Sequence, residues 1–121
     1  MTEQMAPSLD FEALRRAVEQ RDAETLIGFY AEDAEVHTVN RNTTPSSPQV
    51  LRGKEQISEY LRDVYSREMT HRVENEVVGE NRVAFQEACE YPDGTRVLGA
   101  ETLEVRDAKI VRQVNVEAWD E

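Results

Sequence analysis

The sequence predicts an α+β fold, with helices in the first half of the chain and an antiparallel sheet in the second. Three observations carry that prediction. Apolar residues recur at helical spacing up to about Arg67, and no helical period follows it. Beyond that point lie four β-prone runs, Met69 to Val78, Arg82 to Tyr91, Thr95 to Arg106 and Lys109 to Trp119. Their connectors, Gly79-Glu80-Asn81, Pro92-Asp93-Gly94 and Asp107-Ala108, are short enough to force antiparallel neighbours and hence a meander. A chain of 121 residues can bury one core but not two. The expected division is a loose tail over residues 1–8 and a single domain over residues 9–121.

Taken in order, Ser8 or Asp10 can cap the first helix by accepting from its free backbone amides. Phe11, Leu14 and Val18 give that helix one apolar stripe, with Glu12, Arg15, Arg16 and Glu19 beside it. Asp22 can cap a second, short helix whose inner face is Ala23, Leu26, Ile27 and Tyr30. Glu35 to Val39 reads as a strand, residues 40–48 as a loop rich in Asn, Thr, Ser and Pro, and Val50-Leu51-Arg52 as a brief strand ending at Gly53. Lys54 to Arg67 is the clearest helix, with Ile57, Tyr60, Leu61, Val64 and Tyr65 along one side.

The charge balance excludes several classes of partner. A net charge of −11 repels nucleic acid and anionic membrane, and the densest basic stretch, Arg62 to Arg72, is interrupted by Asp63 and Glu68. No run approaches the roughly 18 apolar residues of a membrane span, and no leader pattern opens the chain. A single cysteine, Cys89, allows no internal disulfide, which fits a reducing compartment and an expected cytoplasmic location. It sits in a strand-like run and reads as a buried, inert thiol. His37 and His71 stand in no local metal-binding spacing, and His71, at the start of a strand, reads as surface. With no phosphate loop, nucleophile elbow or CxxC motif, neither a metal nor a cofactor is expected.

A long sheet bent over helices must fill its concavity or leave room for a ligand. Alternation along the third meander strand puts Val97, Gly99, Glu101, Leu103 and Val105 on one face, so Glu101 is a lone carboxylate in an apolar row. Burial would raise its pKa into a range useful for acid–base work, unless it pairs across the sheet with Arg82 or Arg112. Gly99 thins the wall beside it. Leu98, Ala100 and Thr102 on the other face are also mostly apolar, as a strand covered on both sides would be. In the last strand, Ile110, Arg112, Val114, Val116 and Ala118 share one face. Val111, Gln113, Asn115, Glu117 and Trp119 share the other, as a wet surface or a polar pocket lining.

The run Leu26-Ile27-Gly28-Phe29-Tyr30-Ala31-Glu32-Asp33-Ala34-Glu35-Val36, followed by Arg52-Gly53-Lys54-Glu55-Gln56-Ile57, resembles the SnoaL-like and ketosteroid-isomerase-like branch of the nuclear transport factor 2-like (NTF2-like) superfamily. The resemblance runs from about Leu9 to Trp119. It implies a cystatin-like cone, with N-terminal helices packed into a curved, mostly antiparallel sheet around a pocket, and dimerisation through the outer sheet face. It does not imply ketosteroid isomerase chemistry. The positions matching that enzyme's proton-abstracting Asp and oxyanion-binding Tyr and Asp are Thr38, Leu14 and Leu98 or Gly99.

The expected ligand is a small hydrophobic or partly polar molecule. Candidate catalytic groups are Glu101, His37 and Glu117. The imidazole of His37 has a pKa suited to proton transfer, although the match to ketosteroid isomerases turns Val36 and Thr38 inward and His37 outward. Candidate ligand-binding residues are Tyr30, Thr38, Tyr60, Phe85, Gly99, Asn115 and Trp119. Three functions fit: an isomerase, cyclase or dehydratase; a non-catalytic binder of a hydrophobic ligand; or an association module that works through its sheet face.

Overall fold

A computed structural model describes residues 8–120. Apart from Ser8, the expected tail lies outside the described residues. The elements are α1 (Phe11–Glu19), α2 (Ala23–Ile27), β1 (Tyr30–Val39), β2 (Gln49–Arg52), α3 (Lys54–Ser66), β3 (Thr70–Val78), β4 (Arg82–Glu90), β5 (Arg96–Arg106) and β6 (Lys109–Trp119).

Local chemistry sets the helix ends. Asp10 Oδ1 accepts from the Ala13 amide at 3.1 Å and starts α1. The helix stops where Arg21 takes φ 56°. The amides of Arg21 and Asp22 then close back on the Val18 and Ala17 carbonyls, at 3.2 and 2.8 Å, in the two bonds of a Schellman ending. Asp22 caps α2 in its turn, through the Thr25 amide. Gly53, at φ 87°, opens α3 from a backbone conformation that side chains rarely adopt.

The six strands form one sheet in the order β2-β1-β6-β5-β4-β3, with β1 parallel to β6 and every other pair antiparallel. The last four strands make the expected meander. Tyr30 departs from its expected place on the second helix. Here α2 stops at Ile27 and Tyr30 opens β1, paired with Ile110, while the Ile110 amide donates to the Phe29 carbonyl at 2.8 Å. A five-residue helix has little cooperative stability of its own, so ladder bonds to a distant strand decide where it ends.

Four rungs cross the concave face and place the site: His71–Cys89–Val97–Trp119, Val73–Glu87–Gly99–Glu117, Phe85–Glu101–Asn115–Thr38 and Val83–Leu103–Gln113–Val36. A bulge corrects the expected facing of β6. Glu104 pairs with Arg112 and Val105 with Ile110, so Val111 is left over. The extra residue turns Ile110, fully buried, onto the same face as Gln113 rather than that of Arg112 and Val114.

Helices α1, α2 and α3 cover the concave face, and Leu14, Ile57, Leu103 and Ile110 are the most deeply buried large side chains there. On the convex face Leu98 and Val116 stay about half exposed. No helix among the described residues is long and apolar enough to cross a membrane.

Candidate functional site

Between the helices and the concave sheet lies a cavity of about 210 Å³. Leu14 and Val18 of α1, Leu26 of α2, and Tyr60, Leu61, Val64 and Tyr65 of α3 form its apolar side. The sheet rungs form the other side. Glu101, Glu117, Tyr30, Thr38, Tyr60, Phe85, Gly99, Asn115 and Trp119 all line this space. His37 does not. Val36 and Thr38 point inward, each 3% exposed, so strand alternation turns His37 to the convex face. There its Nε2 stands 3.0 Å from Glu35 Oε1, so the expected catalytic imidazole does not reach this cavity.

The sheet side carries a continuous polar network. Gln113 is its hub: Nε2 donates to Glu101 Oε1 at 3.0 Å and to Asn115 Oδ1 at 2.8 Å, while Oε1 accepts from the Tyr30 hydroxyl at 2.5 Å. Asn115 Nδ2 donates onward to Thr38 Oγ1 at 3.3 Å. Glu117 Oε1 accepts from Asn40 Nδ2 at 3.0 Å. The arginines weighed as partners for Glu101 go elsewhere, since Arg82 and Arg112 lie 3.3 and 4.0 Å from Glu104 on the other face. Glu101 therefore has no cationic partner among the described residues. Its carboxyl leans over Gly99, where a Cβ would stand 3.6 Å from Oε2.

Beside it sits a second buried carboxylate that the sequence reading missed. Glu87, 7% exposed, shares a hydrogen bond with Glu101. It also accepts from the Tyr65 hydroxyl at 3.1 Å and from His71 Nδ1 at 2.7 Å. Burial raises Glu101 well above the usual carboxylate range, and the neighbouring Glu87 charge pushes the same way. Burial opposes charge on Glu87 too, but the His71 and Glu101 hydrogen bonds outweigh it and hold that carboxyl below its usual range. The result is an asymmetric pair: Glu101 keeps its proton and donates it to an ionised Glu87. Two adjacent carboxyls separate in this way because both cannot ionise at close range. Burial likewise pushes the Tyr30 and Tyr65 phenols far up, so both remain donors.

His71, read as surface, is 4% exposed and lines the cavity. Cys89, read as buried and inert, is half-buried, with Sγ 3.2 Å from His71 Nδ1. Burial, then the Glu87 charge, push its thiol up and keep it protonated. His71, Glu87 and Cys89 offer one donor atom each within 4.8 Å of one another, a set that could hold a metal. Local spacing in the sequence does not reveal it, because the donors come from two neighbouring strands. Tetrahedral ligands at about 2.0–2.1 Å from zinc stand roughly 3.3 Å apart, whereas His71 Nδ1 and Glu87 are at hydrogen-bond distance, 2.7 Å. The set fits a hydrogen-bonded cluster better than a coordination shell. A signal for Glu87 did exist: Val83, Phe85, Glu87 and Cys89 alternate inward on β4 as Gly99, Glu101 and Leu103 do on β5.

The pair has a pH signature. Native Glu101 keeps a proton that the unfolded chain releases in the normal carboxylate range. Its contribution is therefore full below that range and is lost as pH rises through the native value. Glu87 has the opposite sign, with a contribution present above the normal range and lost as pH falls through its lowered native value. Urea midpoints measured across pH should show E101Q removing the decline on the alkaline side while leaving the acid side in place. An unchanged alkaline slope would mean that Glu101 is ionised in the native protein.

A family model described as a SnoaL-like domain matches residues 11–113. No curated protein matches the sequence. Among solved structures the chain is similar to a candidate ketosteroid isomerase from Kribbella flavida DSM 17836, at 18% identity, 92% of this chain, 75% of that one and TM-score 0.73. It is also similar to an LEH-like epoxide hydrolase of M. tuberculosis (17%; 91% and 79% of the two chains; TM-score 0.65). A third is SalBIII, an epoxide hydrolase/cyclase-like enzyme with a role in pyran ring formation in the polyether salinomycin (19%; 91% and 87%; TM-score 0.69). Identities this low show a shared fold.

Proposed function

The chain belongs to the SnoaL-like domain family, and on that premise we propose that it is an acid–base enzyme acting on a small, largely apolar molecule that carries a carbonyl or epoxide oxygen. The observation that carries this reading is Glu101, a carboxyl without a cationic partner among the described residues, held by Gln113 and Glu87 on the polar sheet wall of a cavity whose helix side is apolar. A carboxylic acid kept neutral by its surroundings can give a proton to a substrate oxygen as charge develops there. Isomerisation and ring opening or closure both need that step. The cavity, at about 210 Å³, exceeds the roughly 150 Å³ that accepts a benzene ring in a dry protein interior. It suits a one- or two-ring molecule.

The test is turnover of a panel of cyclic epoxides and β,γ-unsaturated ketones by the wild-type protein and by E101Q, with thermal shift reporting binding. Wild-type turnover lost in E101Q, with the thermal shift kept, is the expected result. Equal rates in the two proteins would end the acid–base reading, and a shift without turnover in either would favour a non-catalytic binder.

Gly99 supplies an independent check on where the ligand sits. In G99L the new side chain would project between Glu87 and Glu117 into the cavity. Ligand-induced thermal shifts should vanish, at a stability cost of about 1–3 kcal/mol, because the added side chain crowds the Glu101 carboxyl that leans over Gly99. Shifts that survive in G99L would place the ligand outside this cavity.

We also read the convex face as the seat of a second copy of the chain. Ala88, Leu98 and Ala118 lie in one register row and Gln86, Ala100, Val116 and Val39 in the next; charge enters these rows only at their β3 ends, through Arg72 and Glu74. V116E should convert a dimer to a monomer in sedimentation velocity without moving ligand binding. A wild-type protein that is monomeric at high micromolar concentration would refute this assignment.

A further inference from the structure

The valences of Glu87 are already taken by the protein. Its carboxylate accepts from Tyr65, from His71 Nδ1 and from Glu101, with the Cys89 thiol 3.5 Å away. An anion so engaged orients its neighbours and has little capacity left to take a proton from a ligand. The bond to His71 has a second consequence. An ionised carboxylate only accepts, so Nδ1 must carry the proton it donates. In the neutral ring Nε2 is then a bare lone pair. That atom is buried and has no hydrogen-bond partner, one of two such side-chain atoms among the described residues, and its residue lines the cavity. The ring is fixed on both sides, by Glu87 and by the Tyr65 ring at 4.7 Å.

We propose that His71 is the base of this site: Glu87 holds the imidazole with Nε2 unprotonated, and Nε2 takes the proton that the substrate releases while Glu101 supplies one to the substrate oxygen. In that step the substrate's X–H bond breaks, its electron pair stays with the substrate, and the proton forms an N–H bond on Nε2. The Glu101 O–H bond breaks as its proton passes to the oxygen, and the charge of the new imidazolium beside Glu87 offsets the second carboxylate while Glu101 is ionised. In an isomerisation the enolic O–H returns its proton to Glu101 and the Nε2 proton goes to the product carbon. In epoxide opening X–H is a water molecule, which is consumed, and the Nε2 proton passes back to Glu101, so both groups are restored. This assignment deepens the acid–base reading and relies on it for the identity of the acid.

Two measurements test it. The first needs no substrate. In 15N-labelled protein near neutral pH, the His71 ring should show a protonated Nδ1 and an unprotonated Nε2, while E87Q should let the other tautomer appear. A ring protonated on Nε2 in the wild type would overturn the proposal whatever the turnover assays show. The second is H71N, whose side-chain amide reaches about as far as Nδ1 and so keeps a donor for Glu87. On the epoxide and ketone panel, kcat should fall at least 100-fold with KM changed less than about threefold, and added imidazole should restore part of it. Wild-type kcat in H71N would overturn the assignment while leaving Glu101 as the acid. If H71N folds poorly, H71Q, read by the same kcat and imidazole rescue, replaces it. Failure of the Glu101 reading is distinct, because it appears as full activity in E101Q with an unchanged His71 tautomer.

Discussion

E101Q is expected to turn over its substrate about 10²–10⁴-fold more slowly than the wild-type protein, the range typical of a lost general acid, and yet to fold at least as well. Both halves follow from the same geometry. Glutamine has the size of a protonated glutamic acid and can reproduce its two contacts, accepting from Gln113 Nε2 and donating toward Glu87. What it cannot do is release a proton. The cavity should therefore keep its shape and its ligand, and the loss should fall on kcat rather than on KM. Removing a group whose ionisation the fold opposes should also raise the urea midpoint at alkaline pH. A variant that lost activity and ligand-induced thermal shift together would instead assign Glu101 to binding.

Replacing Glu87 with alanine should be more damaging to the fold. The change strips the acceptor from the Tyr65 hydroxyl and from His71 Nδ1, two buried donors, and removes the hydrogen-bonding partner of Glu101. Each orphaned donor costs about 1–3 kcal/mol, so a net loss of roughly 2–5 kcal/mol is expected. Total stabilities of natural domains are about 5–15 kcal/mol, which makes this a large fraction. E87Q should lose less, because its amide oxygen still accepts from one of them. Urea unfolding of wild type, E87Q and E87A provides the series. If E87A matched the wild type, the carboxylate would be a tolerated burden rather than the tie that joins α3, β3 and β5 at this point. The comparison also separates two uses of a buried charge, since E87Q should retain most of the stability while losing the fixed His71 tautomer.

How much of this was legible before folding depends on distance along the chain. The N-caps at Asp10 and Asp22, the helical stripe of α3 and the three tight turns of the meander depend on neighbours within about four residues. Each was readable. Alternation also placed Glu101 beside Gly99 in an apolar row and placed Asn115 and Glu117 on a polar one, because a strand exposes its facing directly in sequence. It failed where that counting breaks. The bulge at Val111 shifted Ile110 by one face, and no residue in β6 announces it. Tyr30 was drawn into a strand by Ile110, a residue eighty positions away.

The sequence by itself therefore determined the α+β class, the antiparallel meander, the SnoaL-like resemblance and a carboxyl on an inward face. Only the tertiary structure decided what that carboxyl meets. Glu87, His71 and Tyr65 come from three separate elements, and pairing across β3, β4 and β5 brings their polar atoms to hydrogen-bond distance under α3. Desolvation and charge coupling at that range set which carboxyl keeps its proton, and both depend on packing rather than on spacing in the chain.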